Sequence, residues 1–258
     1  MRTSICYNIR MATRTSIPPV SPVTSATTVT PAGPEATGTL FPPTPDTPYE
    51  TMLRRRQYSV VAGLDEVGRG CIAGPVVAAA VVLRSLRPRF VTDIDDSKKL
   101  SAAERTRLDR LIRRHAVAVG VGVVDNTVVD DINILQASFQ AMRLALDALS
   151  VQPDYLLIDG HLPLPLTELP QLPLVKGDSR CKSIGAASIV AKVYRDGLMA
   201  RMATEYPHYG FTTNKGYGTP EHWRALREHG PTPLHRMSFK GVGTADPEAF
   251  SHMDLEPA

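Results

Sequence analysis

Four carboxylates carry the chemistry that this sequence can do. Asp65 and Glu66 end the apolar run that begins at Ser59, Asp159 ends Leu156-Leu-Ile, and Asp178 follows Val175-Lys-Gly. A carboxylate at the end of an apolar run is costly to bury unless it is paired or bound to a metal. Neighbouring strand residues point to opposite faces, so Asp65 and Glu66 serve one site only where the backbone leaves the pleat. A single strand-end acid reads equally well as a cap on the next turn; an adjacent pair favours a shared site. Two parallel neighbouring strands that each end in an acid put those acids on one sheet edge, where open α/β sheets place ligands. Three or four converging carboxylates cannot all stay ionised without cations. Hard divalent ions with oxygen ligands resolve this, Mg²⁺ or Mn²⁺ rather than Zn²⁺. Two such ions held by acids suit in-line displacement at a phosphodiester.

The turn after the first acids, Gly68-Arg69-Gly70, leaves backbone N–H groups uncovered, and its arginine can fork onto a phosphate. It is not a dinucleotide fingerprint: the glycine spacing to Gly74 is wrong, and Pro75 leads into a strand. Gly177-Asp-Ser-Arg-Cys-Lys182-Ser183 lacks the second glycine of a phosphate loop. Lys98 and Lys99 are candidate phosphate contacts, weighed against an ordinary solvated pair. Asp196 falls inside a helical stretch, where an ion pair is the usual role. The histidines show no zinc spacing. His222 and His229 are expected to face solvent, and His235-Arg236 is a candidate contact to a nucleic-acid backbone. Trp223 reads as packing, Tyr206 and Tyr209 as loop anchors, and Arg54-Arg-Arg56 as a solvated charge run.

The elements that must position these groups begin at residue 58. Ser59–Asp65 reads as a buried strand and Pro75–Leu83 as a second. Ser101-Ala-Ala-Glu104 is a capping box, with Leu108, Leu111 and Ile112 at helical spacing behind it. Ala116–Val124 is a third strand. Ile134–Leu149 is a helix with Leu135, Phe139, Met142 and Leu146 on one stripe. Asp154–Asp159 and Leu172–Val175 are further strands, and Ile184–Met202 is a long helix with a small-residue start. A last helix starts at Thr219-Pro220 and stops at Gly230. Strands first and helices last make an α/β domain with a helical appendage.

Residues 1–57 are a different material, with nine of the 22 prolines and twelve threonines. Ladder and helix hydrogen bonds fail at that proline density, so a disordered extension is expected, then a catalytic domain over 58–240 and a frayed tail over 241–258. The extension is arginine-containing and free of acids until Glu35, which also describes an organellar transit peptide; a linker-like extension, or an upstream start ahead of Met11 or Met52, is the plainer reading. The formal charge of the 258-residue chain is +3, but six arginines against three acids lie in 1–57, and the rest balances at 23 basic and 23 acidic residues. Global charge therefore does not argue for a nucleic-acid partner. Hydrophobic residues at 43% suffice for a core, and no run of 18 uncharged apolar residues suggests a membrane span. Three scattered cysteines fit a reducing compartment. A cytoplasmic location is expected, or an organellar one if the extension is a transit peptide.

Seven motifs, in order, resemble ribonuclease HII, the type 2 ribonuclease H family. They are Asp65-Glu-Val-Gly-Arg-Gly70, Asp96-Ser-Lys-Lys-Leu100, Ile158-Asp-Gly160, Lys176-Gly-Asp-Ser179, Ala186-Ala-Ser-Ile-Val-Ala-Lys192, Lys215-Gly-Tyr217 and His235-Arg-Met-Ser-Phe239. The resemblance spans roughly 59–240. It implies a ribonuclease H-like mixed five-stranded sheet flanked by helices, with a helical C-terminal part. It also implies hydrolysis of the RNA strand of RNA–DNA hybrids, and incision of duplex DNA 5′ to an embedded ribonucleotide, leaving 3′-hydroxyl and 5′-phosphate. Asp65, Glu66, Asp159 and Asp178 match the four catalytic, metal-holding carboxylates, with two divalent ions as cofactors. Gly68, Arg69 and Gly70 match the turn that contacts the ribose 2′-hydroxyl, Tyr217 matches the tyrosine that stacks at the RNA–DNA junction, and Lys98 is a candidate substrate contact. The expected partners are these duplexes, with no membrane, and a monomer. A non-catalytic module on the same fold, or a two-metal nuclease without ribonucleotide preference, are the rival readings. No sliding-clamp-type tail motif follows Phe239.

Overall fold

The computed structural model describes residues 9–12 and 48–243. Its centre is a sheet of six strands in the order β1-β4-β3-β2-β5-β6. The strands are β1 (Ile9–Ala12), β2 (Val61–Val67), β3 (Val76–Val82), β4 (Ala118–Val124), β5 (Tyr155–Asp159) and β6 (Gln171–Leu174). The helices are α1 (Tyr49–Arg55), α2 (Arg89–Thr92), α3 (Ala102–His115), α4 (Asn126–Asp147), α5 (Gly177–Arg180), α6 (Lys182–Glu205), α7 (Phe211–Asn214) and α8 (Pro220–His229). β2, β3 and β4 run as an antiparallel meander, whereas β2, β5 and β6 are mutually parallel. The mixed sheet is as expected, but it has six strands rather than five, because β1 pairs in parallel with the outer edge of β4.

β3 shows how the layers are fixed. All seven of its residues are buried, because it is covered on both faces. Val76, Ala78, Ala80 and Val82 point to α4, while Val77, Ala79 and Val81 point to α3 and α6. The alternate alanines let helices approach closely. So do Gly120 and Gly122 of β4, where a Cβ would overlap the carbonyl oxygens of Ala145 and Ala141 on α4. The buried line of α4 is therefore Ala137, Ala141, Met142 and Ala145, rotated from the larger-residue stripe expected. α4 also begins earlier than expected. Asp125 caps it through Thr127 N–H, and a break at Asn133 (φ 67°) divides it. The Asn133 side chain accepts from Leu135 and Gln136 N–H and so restarts the helix where the hydrophobic spacing begins.

The capping box of α3 is present: Ser101 accepts from Glu104 N–H, and the Glu104 carboxylate accepts from Ser101 N–H. Thr219 and Gly230 bound α8 as expected. Two elements, β1 and α1, lie inside the stretch from which no structure is expected. α1 forms because Tyr49 and Leu53 bury against Val61, Leu157, Leu174 and Ile184. The proline-dense remainder, residues 13–47, lies outside the described residues, as do 1–8 and 244–258. Val242, expected to be frayed, is buried against the C-terminal cluster of Ile72, Met199, Phe211 and Trp223.

Candidate active site

The parallel pairing of β2 and β5 aligns Leu64 with Ile158. One residue further along, Asp65 and Asp159 therefore stand side by side, and both are still inside their strands. Contrary to expectation, the backbone has not left the pleat at Asp65 and Glu66, which pair with Ala79 and Ala78 of β3. β6 continues the parallel set and leads through Lys176, held at φ 56°, into α5, whose first turn carries Asp178. The Asp159 carboxylate accepts from Gly177 N–H at 2.8 Å, tying the third acid to the loop of the fourth. All four acids line one cleft of about 360 Å³. Gly68, Arg69 and Gly70 line it too, with Lys98 and Tyr217. The structure thus brings these nine residues to one cleft, while Lys99, His235 and Arg236 are not in its lining.

Asp65 is 6% exposed. Burial first, and then the charges of Glu66 and Asp159, push its carboxyl well above the usual carboxylate range. Glu66 is raised by burial and held back by Arg69, whose Nη1 donates to its Oε1 at 3.1 Å. Burial, then Asp159 and Asp96, raise Asp178. Charge stress of this kind, in a cleft floored by hard oxygen donors, fits divalent ions such as Mg²⁺ or Mn²⁺. Like charges repel, and among the described residues no three His, Cys, Asp or Glu side chains are drawn together closely enough to hold a metal ion as they stand. A larger cavity, about 720 Å³, lies beyond the C-terminal end of α4 against Leu149, Leu164 and Leu166. Asp147 is the lone carboxylate in its described lining, so the chemistry belongs to the smaller cleft.

Sequence reasoning gave no role to several residues of the site. Ser97, Ser188 and Lys192 line the cleft, with the Ser188 hydroxyl donating to Ser97 Oγ at 2.9 Å. They sit inside quoted motifs, but a serine alone carries no spacing signal. Glu50 was also missed. It is buried, and its Oε1 accepts from Ser183 N–H, the Ser183 hydroxyl and the Cys181 thiol, at the start of α6. Beside it, Arg180 donates to the Tyr49 hydroxyl at 2.8 Å. α1 thereby clamps the segment that carries Asp178.

Other expectations need correction. His222 is buried rather than facing solvent, and His235 and Arg236 are buried at 1% and 0% exposure, so neither can touch a nucleic-acid backbone. His222 Nδ1 lies 2.8 Å from the Tyr217 carbonyl, which can only accept, so that nitrogen carries the proton. His222 Nε2 must then accept from His235 Nε2 at 3.1 Å, and His235 Nδ1 accepts from Thr232 N–H at 2.9 Å. This neutral chain ends on the backbone of Tyr217. Arg54 is not simply solvated: it donates to the Leu83 carbonyl at 2.7 Å. Lys99 pairs with Asp95. Asp196 Oδ1 lies 2.9 Å from Lys192 Nζ, an ion pair without hydrogen-bond alignment. Trp223 packs in the C-terminal cluster, His229 is exposed, and the Tyr209 hydroxyl anchors the Gly230 carbonyl, as expected.

Comparison with known proteins agrees with this geometry. Residues 62–242 match the family described as Ribonuclease HII. A Ribonuclease HII of Geobacter sulfurreducens is 52% identical over 197 residues, covering 75% of this chain and 88% of its own. One of Chloroflexus aggregans is 52% identical over 201 residues, covering 77% and 94%. Among solved structures, the PCNA:RNase HII complex from Archaeoglobus fulgidus matches at 27% identity and a TM-score of 0.61, over 70% of this chain and 96% of that one. The ribonuclease H2 from Pyrococcus horikoshii OT3 shares the fold at a TM-score of 0.62 and 24% identity, over 74% and 99%. No described helix is long and apolar enough to cross a membrane. The strand-end acids, their shared cleft and a family match over most of the chain reach one conclusion: this chain belongs to the ribonuclease HII family, enzymes that cleave the RNA strand of RNA–DNA hybrids.

Proposed function

We propose that the chain is a two-metal endoribonuclease that also incises duplex DNA on the 5′ side of a single embedded ribonucleotide, leaving 3′-hydroxyl and 5′-phosphate. The observation that carries this is the paired register of β2 and β5, which sets Asp65 beside Asp159 at one cleft with Glu66 and Asp178. Those four carboxylates would hold two Mg²⁺ or Mn²⁺ ions. Bound there, such ions would supply a water of lowered pKa and charge to stabilise the leaving 3′ oxygen. Asp65, buried among other acids, would be a ligand of that set. Gly177 N–H orients Asp159, and Arg69 orients Glu66. The backbone of Gly68, Arg69 and Gly70 contacts the ribose 2′-hydroxyl, the group that separates RNA from DNA. Tyr217, 40% exposed at the cleft, stacks at the RNA–DNA junction. Lys98 and Lys192 offer charge to the phosphates. The protein acts on these duplexes as a cytoplasmic monomer.

The test is cleavage of a labelled DNA duplex carrying one ribonucleotide, with Mg²⁺ or Mn²⁺ and with chelator. A metal-dependent cut on the 5′ side of the ribonucleotide is expected. Cleavage of a long hybrid alone would remove the junction role of Tyr217, and equal cutting of an all-DNA duplex would remove ribonucleotide selectivity.

A further inference from the structure

Two fully buried arginines lie beneath the Gly68-Arg69-Gly70 turn, Arg195 on α6 and Arg236 after α8, both at 0% exposure. Neither has a carboxylate within ion-pair distance among the described residues. Each spends its donors on backbone carbonyls. Arg236 donates from Nε and Nη2 to Gly74 O, at 3.0 and 2.8 Å, and from Nη1 to Arg69 O at 3.1 Å. Arg195 donates to Pro75 O, Lys215 O and Ala73 O, at 2.9, 2.7 and 3.1 Å. Gly68, at φ +97°, packs so tightly on Arg195 that a Cβ would overlap its Nε. Burying a guanidinium without an acid is expensive, and hydrogen bonds to a charged donor are the stronger kind. Such a pair therefore fixes a backbone more firmly than ordinary turn bonds do.

The consequence lies in the peptide plane. Every described peptide bond is trans, and a trans peptide points its C=O and N–H in opposite directions. The Arg69 carbonyl is drawn inward by Arg236, so the N–H of Gly70 in the same plane is aimed away from the interior. No hydrogen bond among the described residues engages that N–H, and Gly70 lines the cleft. We infer that Arg236, supported by Arg195, is a positioning residue for ribonucleotide selectivity: it orients the Arg69–Gly70 peptide so that the Gly70 N–H is presented to the substrate sugar. The inference rests on the reading of this turn as the 2′-hydroxyl contact, and it moves that selectivity one layer below the residues that touch substrate. An arginine fork cannot be replaced by a lysine point charge, so Arg236→Lys keeps a cation but loses the second carbonyl.

Two measurements on Arg236→Lys test it. The first is backbone relaxation of the Gly70 amide in the intact chain, read by NMR without substrate. The wild-type amide is expected to be rigid and that of the variant mobile. The second is the binding preference for a duplex with one ribonucleotide over the same all-DNA duplex, measured in an Asp65→Asn background so that nothing is cut. The preference should fall about tenfold in the variant, the loss of about one hydrogen bond's worth of discrimination, while affinity for the all-DNA duplex holds. A rigid Gly70 amide, or an undiminished preference, in folded Arg236→Lys overturns the inference. A wild type with no ribonucleotide preference overturns instead the reading of the turn, and the relaxation result still decides whether the clamp exists. If Arg236→Lys does not fold, Arg195→Lys is read by the same two measurements with the same outcomes.

Discussion

At the scale of single residues, the site is a set of acids held under charge stress. Asp65 is buried and repelled by its neighbours, so neutralising it should help the fold while stopping the chemistry. Asp65→Asn is expected to abolish hybrid cleavage, leave duplex affinity near wild type, and raise the metal-free Tm by about 2–4 °C, the return of about 1 kcal/mol. Residual cleavage near wild type in a gel assay would remove Asp65 from the catalytic set. The buried imidazoles give a second prediction. Burial and the facing His222 hold His235 down at about 4, against about 6.5 for a free imidazole. Between those values the unfolded chain takes up the proton and the folded chain does not, so stability falls as pH falls through the window. Urea denaturation should lose about 3 kcal/mol more between pH 7 and pH 4 in wild type than in His235→Gln. Equal slopes would mean that the pair is protonated in the folded state. These residues also mark where sequence reasoning stops. The acids were legible because apolar runs ended on them. The burial of His222, His235 and Arg236 was not, because only packing between distant segments decides which face of a short C-terminal helix, and which part of the loop after it, is covered.

At the scale of elements, what was legible had a local cause. The capping box of α3, the Thr-Pro start and Gly stop of α8, and the apolar runs of β2, β3 and β5 are each written within a few residues. The six-stranded count, the first turns of α4 and the docking of α1 depend on partners far along the chain: β4 for β1, and Cys181 and Ser183 for Glu50. The buried line of α4 likewise follows the glycines of β4 rather than its own largest side chains. Glu50 supplies the prediction at this scale. Glu50→Ala leaves the Ser183 N–H and hydroxyl without their acceptor in a buried place, at a cost of about 1–3 kcal/mol. Because the same segment carries Asp178, kcat on a hybrid should fall several-fold while KM holds. An unchanged kcat in a destabilised variant would confine Glu50 to the fold.

At the scale of the whole molecule, the family match begins at residue 62, yet the folded unit begins earlier. A chain started at residue 48 keeps α1 and its contacts, whereas one started at Met52 loses Tyr49 and Glu50. The first should match the Tm of the full chain to within about 2 °C, although it lacks β1, and the second should drop by more, by the amount that Glu50→Ala drops or beyond. Equal Tm values for the two would show that α1 contributes nothing to the clamp. One feature reaches further. The cleft draws its walls from residues 65–70, 97–98, 159, 178 and 217, and its turn is braced by Arg195 and Arg236. Asp65 and Glu66 therefore leave the ribosome more than 150 residues before the last brace, and at about 5–20 residues per second they wait many seconds for it. A nascent chain tethered to its own messenger thus carries its nuclease disarmed, and becomes competent to cut only after Arg236 has emerged.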